Sequence, residues 1–182
     1  MKKSLVALVA FATLTAAQAA NFVQVEQEKV TARDGGAGSA VTYLRAGKDF
    51  GDTTLGLQAR TARFDGGGIA SSLEGTISNK KVSVLGITPF VGVGHDFGGA
   101  TTGTYHYGLV GASTGAKIGP GFAYAGLKTR VLRQNDSDPK QTVGFVGYSM
   151  PVAKNVEFNV GMSRSGQDIK ERGVSAGVSF GF

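Results

Sequence analysis

Residues 174–182 read Val-Ser-Ala-Gly-Val-Ser-Phe-Gly-Phe, and the period of two in that stretch constrains the chain more than any other feature. Val174, Ala176, Val178, Phe180 and Phe182 fall on one face, and Ser or Gly on the other. Such alternation places side chains on opposite faces of a strand with one apolar side. The same period recurs along most of the chain. Val156, Phe158, Val160 and Met162 alternate with Glu157, Asn159, Gly161 and Ser163. Leu85, Ile87, Val91 and Val93 alternate with Gly86, Thr88, Gly92 and Gly94. Ala123, Ala125, Leu127, Thr129 and Val131 alternate with Tyr124, Gly126, Lys128 and Arg130. Helical periodicity is absent, so the chain reads as all-β.

Turn chemistry punctuates these runs. The breaks predict about ten strands, near 22–33, 38–48, 53–64, 71–78, 81–95, 103–113, 121–133, 140–150, 155–165 and 172–182. The first carries Glu26, Glu28 and Lys29 in mid-strand, and the fourth is short. Losing either from the sheet changes the count. An even number returns the chain to the side on which it started, so eight strands is the alternative.

The start of the chain reads as a secretory leader. Lys2 and Lys3 precede a short apolar run, and Ala17-Gln18-Ala19 supplies small residues at a cleavage site. The expected organisation is a signal peptide over 1–19 and one domain over 20–182. The net charge of +6 falls to +4 without Lys2 and Lys3, and no basic run points to nucleic acid. Cysteine is absent, which excludes disulfides and thiolate metal sites. The 29 glycines have no collagen-like period and few prolines accompany them, so fibrous and linker readings fail.

Alternation alone does not separate a soluble sandwich, with its apolar face inward, from a membrane barrel, with that face outward. Three features favour the barrel. Small residues on the polar faces relieve crowding inside a narrow, curved sheet. Strands of roughly 9–11 residues fit a tilted bilayer crossing. A closed barrel also leaves no unpaired edge in lipid. The expected fold is a closed antiparallel transmembrane β-barrel, with a soluble periplasmic barrel as its rival.

With its terminal Phe182 and the alternating Phe180, Val178, Ala176 and Val174, the exported chain resembles the outer-membrane β-barrel proteins of Gram-negative bacteria. The stretch GYSMPVAKNVEFNVGMSRS resembles the short periplasmic hairpin of porin-type members. The resemblance implies an outer-membrane location, both termini in the periplasm, and a terminal strand read by the barrel-assembly machinery. Tryptophan is absent, so an interfacial girdle would draw on Tyr43, Tyr105, Tyr107, Tyr148 and phenylalanines.

In that orientation Asp34, Asp65, Asp96, Asp136, Asp138 and Asp168 fall at outer loops. Arg33, Arg63, His95, Arg133 and Arg164 end the upward strands, and Arg172 opens the last downward one. All six share parity with apolar residues of their own strands. They form a candidate basic collar for the phosphates of lipopolysaccharide; ordinary snorkelling at strand ends is the alternative. The candidate lumen charges are Glu26, Glu28, Arg45, Arg60, Glu74, Lys128, Arg130 and Glu157, with His106 and Tyr124 beside them. Charges enclosed in a narrow barrel pair with one another, so structural plugging is weighed against a narrow charged pore.

Catalytic signatures are poor. His95 and His106 are the only histidines, no motif assembles a nucleophile triad, and His95-Asp96 reads as a rim pair. No metal-ligand spacing or phosphate loop is present, and no cofactor is implied. The expected function is therefore a non-catalytic outer-membrane barrel, structural or narrow-pore and monomeric, with a basic rim toward lipopolysaccharide. The alternatives are an adhesin or host-interaction barrel and a lipid-modifying enzyme.

Overall fold

The computed structural model describes residues 21–33, 36–98, 103–133, 140–167 and 170–182. The leader, and the loop aspartates Asp34, Asp136, Asp138 and Asp168, lie outside the described residues. The strands are β1 (Asn21–Ala32), β2 (Ser39–Phe50), β3 (Thr53–Phe64), β4 (Ile69–Asn79), β5 (Thr88–Asp96), β6 (Tyr105–Ile118), β7 (Gly121–Arg133), β8 (Gln141–Ala153), β9 (Val156–Gln167) and β10 (Glu171–Gly181). Each pairs antiparallel with its neighbours in sequence, and β10 pairs with β1 from Phe22↔Gly181 to Ala32↔Glu171. The sheet is thus a closed barrel of ten strands, not eight. β1 is paired on both sides along most of its length, from Phe22 to Val30, despite its charges. Glu26 and Glu28 point inward and are buried, whereas Lys29 points outward and is exposed.

The fifth strand corrects the sequence reading. Residues 81–87 do not extend it; β5 begins at Thr88. The Asn79 side chain accepts a hydrogen bond from Lys81 N at 2.9 Å and caps a single 3-10 turn over Lys80–Val82. Leu85 and Gly86 then both take positive φ, 51° and 78°, and reverse the chain between the bridged residues Val84 and Ile87. Two positive φ values in succession are what a tight hairpin turn needs. The other three connections at this end shrink to Gly51-Asp52, Gly119-Pro120 and Lys154-Asn155. Gly51, Gly119 and Asn155 supply the left-handed conformations. β6 consequently runs to Ile118, beyond the expected 113.

The barrel is apolar outside and polar inside. Leu57, Val93, Leu127, Val146, Met162 and Val174 are each at least half exposed on the outer wall. Gln24, Glu26, Glu28, Gln58 and Glu74 are buried within. This is the inverse of a water-soluble domain, whose exposed apolar patches are small. The arrangement suits a hydrocarbon surround and overturns the soluble-barrel rival.

Many inward glycines have a specific partner. Tyr107 lies over Gly94, Phe90 over Gly111, Phe145 over Gly126 and Tyr124 over Gly147, each directly across a strand pair. A Cβ on any of these glycines would fall within the opposing ring. Glycine lets large rings lie down along the wall of a lumen too narrow for them to stand upright.

Candidate functional site: the lumen network and the outer rim

Inside the barrel, hydrogen bonds link β1–β4 to β6, β7 and β9. The Glu74 carboxylate on β4 accepts from Gln58 Nε2 at 2.8 Å, Tyr107 OH at 2.9 Å and Lys128 Nζ at 2.5 Å. Glu26 accepts from Gln24 Nε2 at 2.9 Å and Arg45 Nη1 at 2.5 Å. Glu28 accepts from Tyr43 OH and, across the barrel seam, from Ser163 Oγ at 2.5 Å. Arg130 donates to Tyr105 OH, and its guanidinium lies 4.1 Å from the Tyr107 ring centre. Ser149 donates to Glu157. Alternation of side chains on β1, β3, β4 and β7 sets these groups at matching heights, and cross-strand register then brings donors onto acceptors.

A cavity of about 310 Å³ runs from mid-height toward the outer end, lined by Glu28, Tyr43, Arg60, Glu74, Asp96 and Glu171 among others. Toward the end where β1 begins and β10 finishes the lumen is filled. Gln24, Ser149, Asn159 and Ser179 retain 1–4% exposure there. Asn159 Nδ2 donates to Ser179 Oγ at 3.1 Å across β9 and β10.

The opposite end carries outward basic groups. Arg63, Arg164 and Arg172 are exposed on the outer face. Arg164 and Arg172 stand directly opposite each other on β9 and β10. Arg33, just past β1, donates from Nη1 to Ser165 O at 3.1 Å. Lys29, which residue-level reading left among the charges of a weak strand, faces out as well and pairs with Asp65 at 3.0 Å. Arg133 is different. A register shift opposite Gly108/Leu109 leaves Val131 without a partner and sets Arg133 across from Tyr107. Counting in twos from Leu127 therefore no longer assigns Arg133 a face.

Three further expectations are corrected. His106 is exposed on the outer wall, because it stands opposite His95, not in the lumen. His95 and Asp96 form no rim pair. Consecutive strand residues point apart, so Asp96 is buried inside and accepts from Gly98 N at 3.0 Å. Tyr43, Tyr105 and Tyr107 face the lumen and cannot serve an outer girdle. Tyr148 does face outward, where its OH donates to Ile118 O at 2.9 Å. Phe50, Phe158, Phe180 and Phe182 are exposed on the outer wall toward the end where β1 begins and β10 finishes. On β10, Val174, Ala176, Val178, Phe180 and Phe182 form the outward row, between β1 and β9.

No family model matches the chain, and no curated protein matches it. Among solved structures it is similar to the translocator domain of the autotransporter NalP from Neisseria meningitidis, at 15% identity over 91% of this chain and 89% of that one, with a TM-score of 0.49. It is similar to KdgM porin at 11% identity, 87% and 99% coverage and a TM-score of 0.49. It is also similar to Neisserial surface protein A at 16% identity, 90% and 97% coverage and a TM-score of 0.45. These neighbours are outer-membrane β-barrels.

Proposed function

We propose that this chain is a non-catalytic barrel of the bacterial outer membrane, structural in role, with its termini in the periplasm and a basic outer rim that meets the phosphates of lipopolysaccharide. The filled periplasmic half of the lumen carries the reading. Interior groups of the periplasmic half keep only a few per cent of their surface, and above them Arg45 is paired with Glu26 and Lys128 with Glu74. A solute path needs an aqueous bore, and a ten-stranded barrel lies near the width that side chains fill. The outer connections span at most eight residues between strand ends. That length favours a low rim over the protruding surface an adhesin would need.

The rim contact is supported by the Arg164↔Arg172 pair. Like charges placed directly opposite each other are unfavourable, and a phosphate held between the two guanidinium groups would turn repulsion into paired, charge-assisted hydrogen bonds. Reconstituted in a planar bilayer, the protein is expected to show no discrete conductance steps; reproducible steps would replace the structural reading with a narrow pore. The combined Arg164→Gln and Arg172→Gln variant is expected to bind purified lipopolysaccharide more weakly than the parent. Unchanged binding would remove the rim contact while leaving the structural reading intact.

A further inference from the structure

The outer wall carries a second chemical feature that a basic rim does not explain. His95 on β5 and His106 on β6 are directly opposed, with their side chains on the outer face. Their Nδ1 atoms approach to 2.9 Å, and their ring centres lie 4.3 Å apart. Phe97 packs edge-on against the His95 ring at 4.5 Å and limits its rotation. At this separation one Nδ1 must donate its hydrogen to the lone pair of the other, so the pair shares a single proton between two good ligand atoms.

We propose that His95 and His106 form a two-histidine site for a divalent late transition metal, with Cu²⁺ preferred. The ligand type and the closeness of the two rings point to the metal class. Metal–nitrogen bonds of about 2.0–2.1 Å let two imidazole nitrogens this close reach one ion once the rings turn. Imidazole suits these metals, and Cu²⁺ stands at the top of the affinity order for a given nitrogen site.

Binding requires only local change. The two Nδ1 lone pairs swing from facing each other to converging on one point. The hydrogen on one Nδ1 moves to Nε2 of the same ring through solvent, so both rings coordinate as neutral imidazoles and no net proton is released. Among the described residues no group of three or more His, Asp or Glu side chains could hold a metal. Water or an exogenous ligand therefore completes the coordination, and the metal is exchangeable.

The test uses the folded mature barrel in detergent, stripped with a chelator and titrated with Cu²⁺. One Cu²⁺ per barrel is expected, with nitrogen hyperfine structure from two imidazoles in its electron paramagnetic resonance spectrum. Zn²⁺ is expected to bind more weakly. His95→Gln and His106→Gln are each expected to lower Cu²⁺ affinity at least tenfold, while heat-modifiable gel migration shows that each variant remains folded. Cu²⁺ affinity unchanged in both variants would overturn the site. So would a parent spectrum without two-nitrogen coupling, which needs no variant to fold.

Discussion

At the scale of single residues, the lumen depends on partners more than on polarity. Glu74 and Lys128 have side-chain exposures of 7% and 19%, and each satisfies the other. Removing one charge strands the other in a confined space, whereas removing both can be nearly neutral. Glu74→Gln is therefore expected to destabilise the barrel by about 3–5 kcal/mol. Adding Lys128→Met should recover most of that loss. Urea unfolding in lipid vesicles checks both variants, and a double variant no more stable than the single one would show that the ion pair is not the cause. The facing of Glu74 and Lys128 was legible from alternation. Their meeting was not, because β4 and β7 are far apart in sequence and only closure of the barrel brings them across the same lumen.

At the scale of elements, β10 shows how depth along a strand sets the tolerance of a position. Val174 lies one rung from Arg172, whereas Val178 stands opposite Phe158 on β9 and Val25 on β1, well inside the apolar belt. Arginine at mid-depth costs roughly 2–4 kcal/mol and close to nothing at the interface. Val178→Arg is accordingly expected to lower unfolding free energy by about 2–4 kcal/mol, and Val174→Arg by about 0–1 kcal/mol. Equal losses in the two variants would place the edge of the belt elsewhere. The outward row of β10 was readable from its own five apolar positions. The start of β5 was not, since Leu85 and Ile87 keep the parity of Val91 and Val93 while the cap at Asn79 and the positive φ of Leu85 and Gly86 turn the chain out of the strand.

At the scale of the molecule, closure makes each strand depend on two others. β10 is hydrogen-bonded to both β1 and β9, and Phe182 N adds a bond to Asn21 O at 3.1 Å. Without residues 171–182 both seams open, and two unpaired edges would face hydrocarbon with no water to satisfy them. The truncated chain is expected to lose heat-modifiable migration and protease resistance altogether, rather than to form a nine-stranded barrel. A compact, heat-modifiable species from that truncation would show that β1 and β9 can seal directly.

The sequence by itself determined the class of fold, because a period of two with apolar residues on one face and glycine or polar residues on the other admits few arrangements. It also set the inward and outward faces of most strands. The tertiary structure alone decided between the ten strands the breaks predict and the alternative of eight, the pairing of Glu28 with Ser163 across the closing seam, and the loss of parity before Arg133. It alone brought His95 and His106 together on the outer wall. The reason is the same in each case. Periodicity records which way a side chain points along one strand, whereas register, a bulge or the closing of the sheet depends on hydrogen bonds between strands, and no single strand contains them.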